Sequence, residues 1–523
     1  MPGLDRAVIS RRTVLLGGAA GWGTVVLGGA LSGCAGSPRP PDPFTLGVAS
    51  GEPNAAGVVL WTRLAPRPLA EDGLGGMAPR PVEVEWELAS DEQFSRVQRR
   101  GTETARPEAA HSVHVELDGL EPGREYFYRF RSQGFLSPAG RTRTAPGPTA
   151  TGGPLTMCFA SCSQYEHGYF TAYRRLAEDD PDLVLHLGDY QYEYTANDYV
   201  TDGGNVRDHA GPETVTLANY RQRHAQYKTD PDLQAAHATA PWLVVWDDHE
   251  LDNNWADEIP EEPQPDFLAR RAAALQAFYE NMPLRRMSAP HGIDLRLYRR
   301  VGWGRLATFH MLDTRQYRGD QPCGDEFNSN CPELTDPTRS ITGVEQQAWL
   351  LDGLRTSTAR WNVLGQQVFF SQVDFTPGAG RGFNPDAWDG YVGNRDRIVA
   401  ALRDSPGRNA VVLTGDVHAH WAAEVKERFD DPDSPTVATE LVATSITSGG
   451  DGSETEEDTA GILADNPHIR FYNNRRGYVR TRFSDGEMRA DFQVVPYVSR
   501  PGAPVQTRAS FTVPDGRPGL QTV

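Results

Sequence analysis

At 523 residues and a formal net charge of −19, the chain is too long for one ordinary hydrophobic core, so two domains behind a targeting segment are expected. The acidic balance argues against a nucleic-acid-binding protein, because phosphate backbones select basic surfaces. It does not exclude a small phosphorylated substrate, since bound cations supply positive charge locally. Residues 1–36 read as an address. "SRRTVLL" sets Arg11 and Arg12 ahead of an uncharged run that reaches Leu31, too glycine-rich for a good membrane span. This is the pattern of a twin-arginine export signal, the route for proteins already folded. The run closes on "LSGC", a lipobox-like ending that makes Cys34 the expected lipidation site; an ordinary cleaved signal with a chance cysteine is the plainer alternative. "SPRPPDP" (37–43) reads as a stiff tether. The expected location is therefore the cell surface or periplasm as a lipoprotein, or outside the cell.

Residues 44–146 alternate like the strands of a β-sandwich, in "GVVLWTRL", "VEVEWEL", "SVHVELDGL" and "EYFYRFR", with turn residues between them. "LDGLEPGREYFYRF" resembles a fibronectin type III strand pair, with Leu120, Pro122 and Tyr126 placed like a tyrosine corner. Nothing in this smaller domain carries chemistry. "PGPTATGGP" (146–154) follows as a linker, and the larger domain occupies 152–523. There, short apolar strands alternate with helices: "LTMCFAS", a helix with Tyr169, Phe170, Tyr173, Leu176 and Ala177 on one face, "DLVLHLGD", "WLVVWDDHE", a helix over 266–280, "RLATFHMLD", "WNVLGQQV", "NAVVLTGDVH" and "ELVATSI". That is an α/β domain with strands buried on both faces. Stretches 196–230 and 375–395 show no such pattern and read as loops that set the width of a pocket, and 498–523 reads as strand and loop.

An exported chain meets conditions in which disulfides form. Of its five cysteines, Cys34 belongs to the signal. Cys323 and Cys331 bracket a short polar loop and are expected to pair. Cys158 lies inside an apolar strand and reads as a small core residue; Cys162 falls where that strand ends.

Functional side chains of α/β folds gather at the carboxyl ends of the strands. Those ends hold Cys162, Asp189, Tyr192, Asp247, Asp248, His249, Asp313, Asp416, His418 and His420. Taken singly, a strand-end aspartate is more often a cap or turn residue, and a histidine more often satisfied in the core. Together, so many carboxylate, imidazole, phenol and thiol donors at buried tips are costly unless cations bind among them.

The stretches "GDYQYEY", "WDDHELDNNW", "LDTRQYR" and "LTGDVHAHW" resemble the PhoD-type alkaline phosphatases, a branch of the calcineurin-like metallophosphoesterases. The resemblance covers about residues 44–520. It implies a double β-sheet sandwich flanked by helices, a centre of iron(III) and calcium, and hydrolysis of phosphomonoesters and often phosphodiesters. Carried over by position, it makes Asp189 the carboxylate that bridges two metals and Tyr192 a phenolate ligand of iron, as in the Gly-Asp-x-x-Tyr of purple acid phosphatases. Asp248 and His249 take the places of the wider family's Asn-His pair, with His249 catalytic, and Asp416 and His418 those of its His-x-His. The wider family opens with Asp-x-His where this chain has Ser161-Cys162, so Cys162 is implied as a thiolate ligand.

The donor chemistry agrees, for oxygen ligands suit calcium whereas phenolate and thiolate suit a ferric ion. His249 would protonate the leaving group or hold the phosphate. Asn253 and Asn254 follow one turn later, where amide donors suit phosphate oxygens or a calcium ion and a helix cap is the bland reading. Arg207, Arg221, Arg223 and Arg315 are left open as phosphate clamps. The implied substrates are small phosphate esters. A phosphodiesterase or phospholipase D-like enzyme on the same metals, and a non-catalytic surface binding protein, are the alternatives.

Overall fold

The computed structural model describes residues 41–327, 331–405 and 409–523, so the export signal, Cys34 and most of the tether lie outside the described residues. Two mixed sheets form the expected sandwich. The first is centred on the parallel strands Leu155–Ala160, Leu183–Leu187 and Pro241–Val245. The second is centred on Ala307–Met311, Trp361–Gly365, Ala410–Thr414 and Thr436–Val442, again parallel. One long strand, Ile469–Phe483, belongs to both: its first half pairs with His420–Lys426 and its second with Leu155–Ala160.

Alternation along each strand decides which layer a side chain enters. Phe309, Met311, Val363, Val411 and Leu413 face the core shared with Met157, Phe159 and Leu185 of the first sheet. Leu364 and Val412 face outward, against the helices Gly343–Thr356 and Val392–Asp404. Each such buried aliphatic side chain contributes roughly 1.5–3 kcal/mol, so neither face of these strands is free to accept charge. The helix Thr171–Glu178 buries Tyr173 and Leu176 as its sequence predicts, with Phe170 at its start, while Tyr169 and Ala177 are only partly covered. The helix predicted over 266–280 is Phe267–Asn281.

The stretch read as loop at 196–230 is corrected in its second half. Leu217–Lys228 is a helix, followed by the helix Pro231–Thr239. Apolar periodicity is missing there because the buried face of the first helix is polar: Arg221 is paired with Glu280, and Arg223 donates to the Tyr192 and Pro212 carbonyls. The local signal is its start, where Thr216 and Asn219 form a capping box.

Strands Val82–Ala89, Val97–Ala105 and Glu125–Ser132 form a separate antiparallel sheet. The layer facing it consists of Val48–Asn54, Gly57–Arg63 and Ser112–Leu117, and Val58, Leu60, Val84, Leu88 and Tyr128 fill the space between. That second layer is also an edge of the first large sheet, with Ser50 and Gly51 aligned parallel to Pro241 and Trp242. The Tyr126 hydroxyl accepts from the Glu121 N–H at 3.1 Å, the tyrosine corner read from the sequence. At the far edge, Gln506–Pro514 extends the first sheet beyond Glu487–Val495. Cys158 is a buried free thiol, and Cys323 is bonded to Cys331.

Candidate metal centre

The carboxyl ends of both sheets converge on one point, and two glycines make the approach close enough. A Cβ on Gly188, at φ +104°, would lie 2.5 Å from the Asp247 Cβ, and one on Gly415 would lie 2.8 Å from the Leu187 carbonyl. Backbone pairing runs on past the strands: the Cys162 N–H donates to the Gly188 carbonyl and the Ser163 N–H to the Asp189 carbonyl. Buried Glu250 then ties two strand ends together. Its carboxylate accepts from the N–H groups of Tyr190 (2.6 Å), Asp247 (2.8 Å) and Asp189 (3.1 Å).

At this point the chain takes backbone conformations that side chains other than glycine rarely adopt. Cys162, Asp189, Asp416 and His418 have φ of 61°, 56°, 60° and 58°. Such strain costs of order 1–3 kcal/mol per residue and persists only where the surroundings over-determine it. It turns each side chain back toward the shared point. The turn at Asp189 is also why Tyr192, three residues on, reaches the same place: its hydroxyl lies 2.9 Å from Asp189 Oδ2 and 3.2 Å from His418 Nε2.

Three overlapping groups result, each with ligand atoms within 4.8 Å of one another: Cys162, Asp189 and His418; Asp189, Asp248 and His249; Asp247, Asp248 and Asp416. Asp189 is common to the first two and Asp248 to the last two. Tyr192 joins the first through Asp189 and His418, and Ser448 donates to its hydroxyl at 2.7 Å. The structure thus brings together Cys162, Asp189, Tyr192, Asp248, His249, Asp416 and His418.

Asp189 Oδ1, Asp247 Oδ2 and Asp248 Oδ1 are buried without a hydrogen bond. A buried polar oxygen left unpaired costs about 1–3 kcal/mol, and more when charged, so these residues fit cations held among them. Electrostatics point the same way. Burial, with Asp248 and Asp247 nearby, pushes the Asp189 carboxyl well above its ordinary range, although His249 opposes. Burial and Asp189 do the same to the Cys162 thiol and the Tyr192 phenol. Burial, then Arg476 and His249, lower His418 to about 3, leaving it neutral and fit to bind a metal. Thiolate and phenolate forms at such positions need a cation to hold them.

His249 sits at the edge of the cluster, stacked on the Tyr192 ring at 4.1 Å between centroids. Glu193 accepts from its Nδ1 at 2.9 Å, and its Nε2 is 3.9 Å from Asp248 Oδ2. Burial opposes a charged ring here, but Asp248, Glu193 and Asp189 outweigh it and raise His249 well above its usual range. Glu193 also accepts from the Asn253 N–H at 3.0 Å. The Asn254 N–H donates to Asp248 Oδ2, while its side-chain amide donates to Asp325. Residues 248–254 are a run of turns rather than a helix, so neither asparagine caps one.

The arginines left open are all committed elsewhere. Arg207 pairs with Asp230 and stacks on Tyr165; Arg221 and Arg223 hold the helix described above. Arg315 is fully buried behind the cluster and pairs with Asp247 at 2.6 Å and Asp386 at 2.8 Å. Two strand-end residues are structural. Asp313 accepts from the N–H groups of Arg315 and Gln316, and His420 lies against the Val442 and Gln493 carbonyls. The sequence reading missed Glu193, Glu250, Asp386 and Ser448. Of these, Glu193 and Glu250 stand inside quoted stretches next to picked residues, which is a signal. Asp386 and Ser448 come from distant loops and carry none.

Two surface grooves include residues that neighbour the cluster, although none of the donor residues lines either of them. One of about 890 Å³ is lined by His167, Tyr199, Gly449 and Asp451 among others; one of about 400 Å³ is lined by Glu193, Tyr194, Asp252 and Asn253 among others.

The family profile described as PhoD-like phosphatase matches residues 157–492, and that of the PhoD-like phosphatase N-terminal domain matches residues 30–146. The chain is 51% identical over 483 residues to alkaline phosphatase D of Bacillus subtilis (strain 168), covering 92% of this chain and 82% of that protein. Purple acid phosphatase 23 of Arabidopsis thaliana is 34% identical over 144 residues, 27% of this chain and 30% of its own length. Among solved structures, PhoD superposes with a TM-score of 0.90 at 51% identity, with 92% of each chain covered. Purple acid phosphatase PPD1 from yellow lupin seeds gives 0.56 at 13% identity, covering 90% of this chain and 74% of that one, a likeness of fold alone.

Proposed function

Because this chain belongs to the PhoD-like phosphatase family and is a phosphoesterase, we propose that it is an exported alkaline phosphatase that uses iron(III) and calcium to hydrolyse phosphomonoesters, and phosphodiesters as well. The observation that carries the metal reading is the sharing of Asp189 and Asp248 among three donor groups whose buried oxygens lack partners. Cys162, Asp189, Tyr192 and His418 would hold the ferric ion, being the one of these three groups with thiol and phenol donors. The carboxylates Asp247, Asp248 and Asp416 would hold calcium, with Asp189 shared between the two sites. When bound, such cations polarise the phosphoryl group, make a neighbouring water more acidic and offset charge on the leaving oxygen.

The chain's own residues do the rest. Arg315 sits behind Asp247 and Asp248 and partly neutralises them, so the acidic cluster can be packed before any cation arrives. Glu193 holds the Nδ1 proton of His249, which fixes the ring and leaves Nε2 toward the cluster. A proton carried at Nε2 is placed for delivery to a leaving alkoxide. With cations held at Asp189 and Asp248, much of the pull of those carboxylates on the ring would be cancelled, and Glu193 would remain its partner.

Native protein should contain iron and calcium by elemental analysis and show a visible phenolate-to-iron band. A calcium chelator should abolish hydrolysis of chromogenic mono- and diesters, and added calcium should restore it. Full turnover in excess chelator, or a colourless iron-free native protein, would count against the assignment. We further propose export by the twin-arginine machinery and a lipid anchor at Cys34, supported by the Arg11-Arg12 pair and the lipobox-like ending. Cys34→Ala should then move the enzyme from the membrane to the soluble fraction with unchanged turnover. A variant still membrane-bound after high-salt washing would show another anchor.

A further inference from the structure

Among the described residues of the loop closed by Cys323 and Cys331, Asp325 reaches the site through one residue, Asn254. Asn254 stands in a left-handed conformation, φ +45°, and its N–H donates to Asp248 Oδ2 at 2.9 Å. Two groups hold it there, Gln321 just before the loop and Asp325 inside it. The Gln321 amide donates to the Asn254 carbonyl at 2.5 Å, and the Asn254 side-chain amide donates to Asp325 Oδ2 at 2.6 Å. Gln321 is fixed in turn by Asp386, the residue that also receives Arg315. Among the described residues, the Asp325 carboxylate accepts only from Asn254. The neighbouring backbone is unusual instead, since Cys323, Gly324 and Asp325 have φ of 66°, 65° and 60°. Gly324 takes this region freely, but Cys323, and to a lesser degree Asp325, hold it only under an outside constraint. The covalent tie of Cys323 to Cys331, with the Cys323 N–H donating to Glu333 at 3.1 Å, is that constraint.

The contacts therefore form a line: disulfide, Asp325, Asn254, Asp248. We propose that Asp325 is a positioning residue for the Asp248 carboxylate, and that the Cys323–Cys331 disulfide keeps it in place, so that the oxidised enzyme binds its carboxylate-held cation more tightly than the reduced one. This rests on the metal reading above. Groups that touch and orient a ligand, as Asn254 does, are typically worth about 10–100-fold in metal affinity, and Asp325, one contact further out, is expected at the lower end of that range. The consequence matches the export reading. A chain that folds among reducing thiols and is then exported acquires its full cation affinity only after it has crossed, when the two thiols give up two protons and two electrons to a disulfide of the exchange machinery.

The test measures calcium binding directly, by calorimetry or equilibrium dialysis on the whole protein, with melting temperature as a control for folding. Asp325→Ala should weaken calcium binding by roughly 10-fold, and Asp325→Asn, which keeps an acceptor oxygen, should recover most of it. Treating native enzyme with a phosphine, which takes up water to become its oxide as the disulfide becomes two thiols, should weaken binding like Asp325→Ala. A Cys323→Ser/Cys331→Ser enzyme should start weak and not respond to the phosphine. At saturating calcium all of these should turn over at rates near native. Native-like isotherms for Asp325→Ala, or for phosphine-treated enzyme with the disulfide shown to be open, would overturn the positioning role and leave the phosphatase reading standing. A native enzyme that binds no calcium would overturn the calcium assignment and this inference with it.

Discussion

Asp189→Asn is expected to lower turnover by roughly 10⁴-fold, with loss of bound metal and of the visible band. Asp189 is the one side chain common to the thiol-bearing group and the His249-bearing group, so its substitution loosens two cations. A bound cation contributes several kcal/mol to charge stabilisation during phosphoryl transfer, and each 1.36 kcal/mol is tenfold in rate. Asparagine is the right replacement. It tolerates the left-handed backbone at φ 56° as readily as aspartate does, so the strand end keeps its shape and only the charge is lost. Stability supplies an independent sign. The Asp189 carboxyl is raised by burial above its usual range and has an oxygen without a partner. Its charged form therefore opposes folding when no cation is bound. Metal-depleted Asp189→Asn should melt at or above the temperature of metal-depleted native protein, yet gain far less on adding metal. A variant that keeps its full metal complement and turns over within tenfold of native would remove Asp189 from the bridging role.

The sequence carried the strands and their ends well because both signals are local. Short, mostly apolar runs such as "LVLHL" and "AVVLT" favour a strand buried on two faces, and a donor directly after such a run lies at a sheet end. Cys162, Asp189, Asp248 and Asp416 are legible for that reason. Locality is also where the reading stopped. Asp313 and Asp416 look alike in sequence, each following an apolar strand, but Asp313 closes on the N–H groups of Arg315 and Gln316 while Asp416 faces the cluster. Nothing within a few residues separates the two; the difference lies in which strands stand next to each. The helix Leu217–Lys228 was hidden because its buried face is satisfied by ion pairs and carbonyls from distant segments rather than by apolar packing. Arg315 illustrates the same limit for charge. It reads as a phosphate clamp beside a site, and only the fold shows that Asp247 and Asp386 occupy its donors.

His249→Ala should lower turnover by roughly 10²–10⁴-fold, the usual worth of a positioned general acid, while the metal content stays near native. His249 lies at the edge of the donor cluster, and the other two groups do not depend on it. The size of the loss should follow the leaving group. An alkyl phosphate releases a strongly basic alkoxide and needs the proton, so it should show the full effect. A nitrophenyl ester releases a weakly basic phenoxide and should lose much less. Glu193→Gln separates the proton from the position of the ring. The glutamine oxygen can still accept from Nδ1, so the ring keeps its orientation, but the adjacent negative charge is gone and the imidazolium loses the partner that the cations do not cancel. The rate should then fall on the high-pH side, because a ring with a lowered pKa gives up its proton sooner as pH rises. The low-pH side should move little. An equal loss for good and poor leaving groups in His249→Ala, with an unshifted pH profile in Glu193→Gln, would make His249 a phosphate-holding residue. The leaving oxygen would then be stabilised by the cations alone.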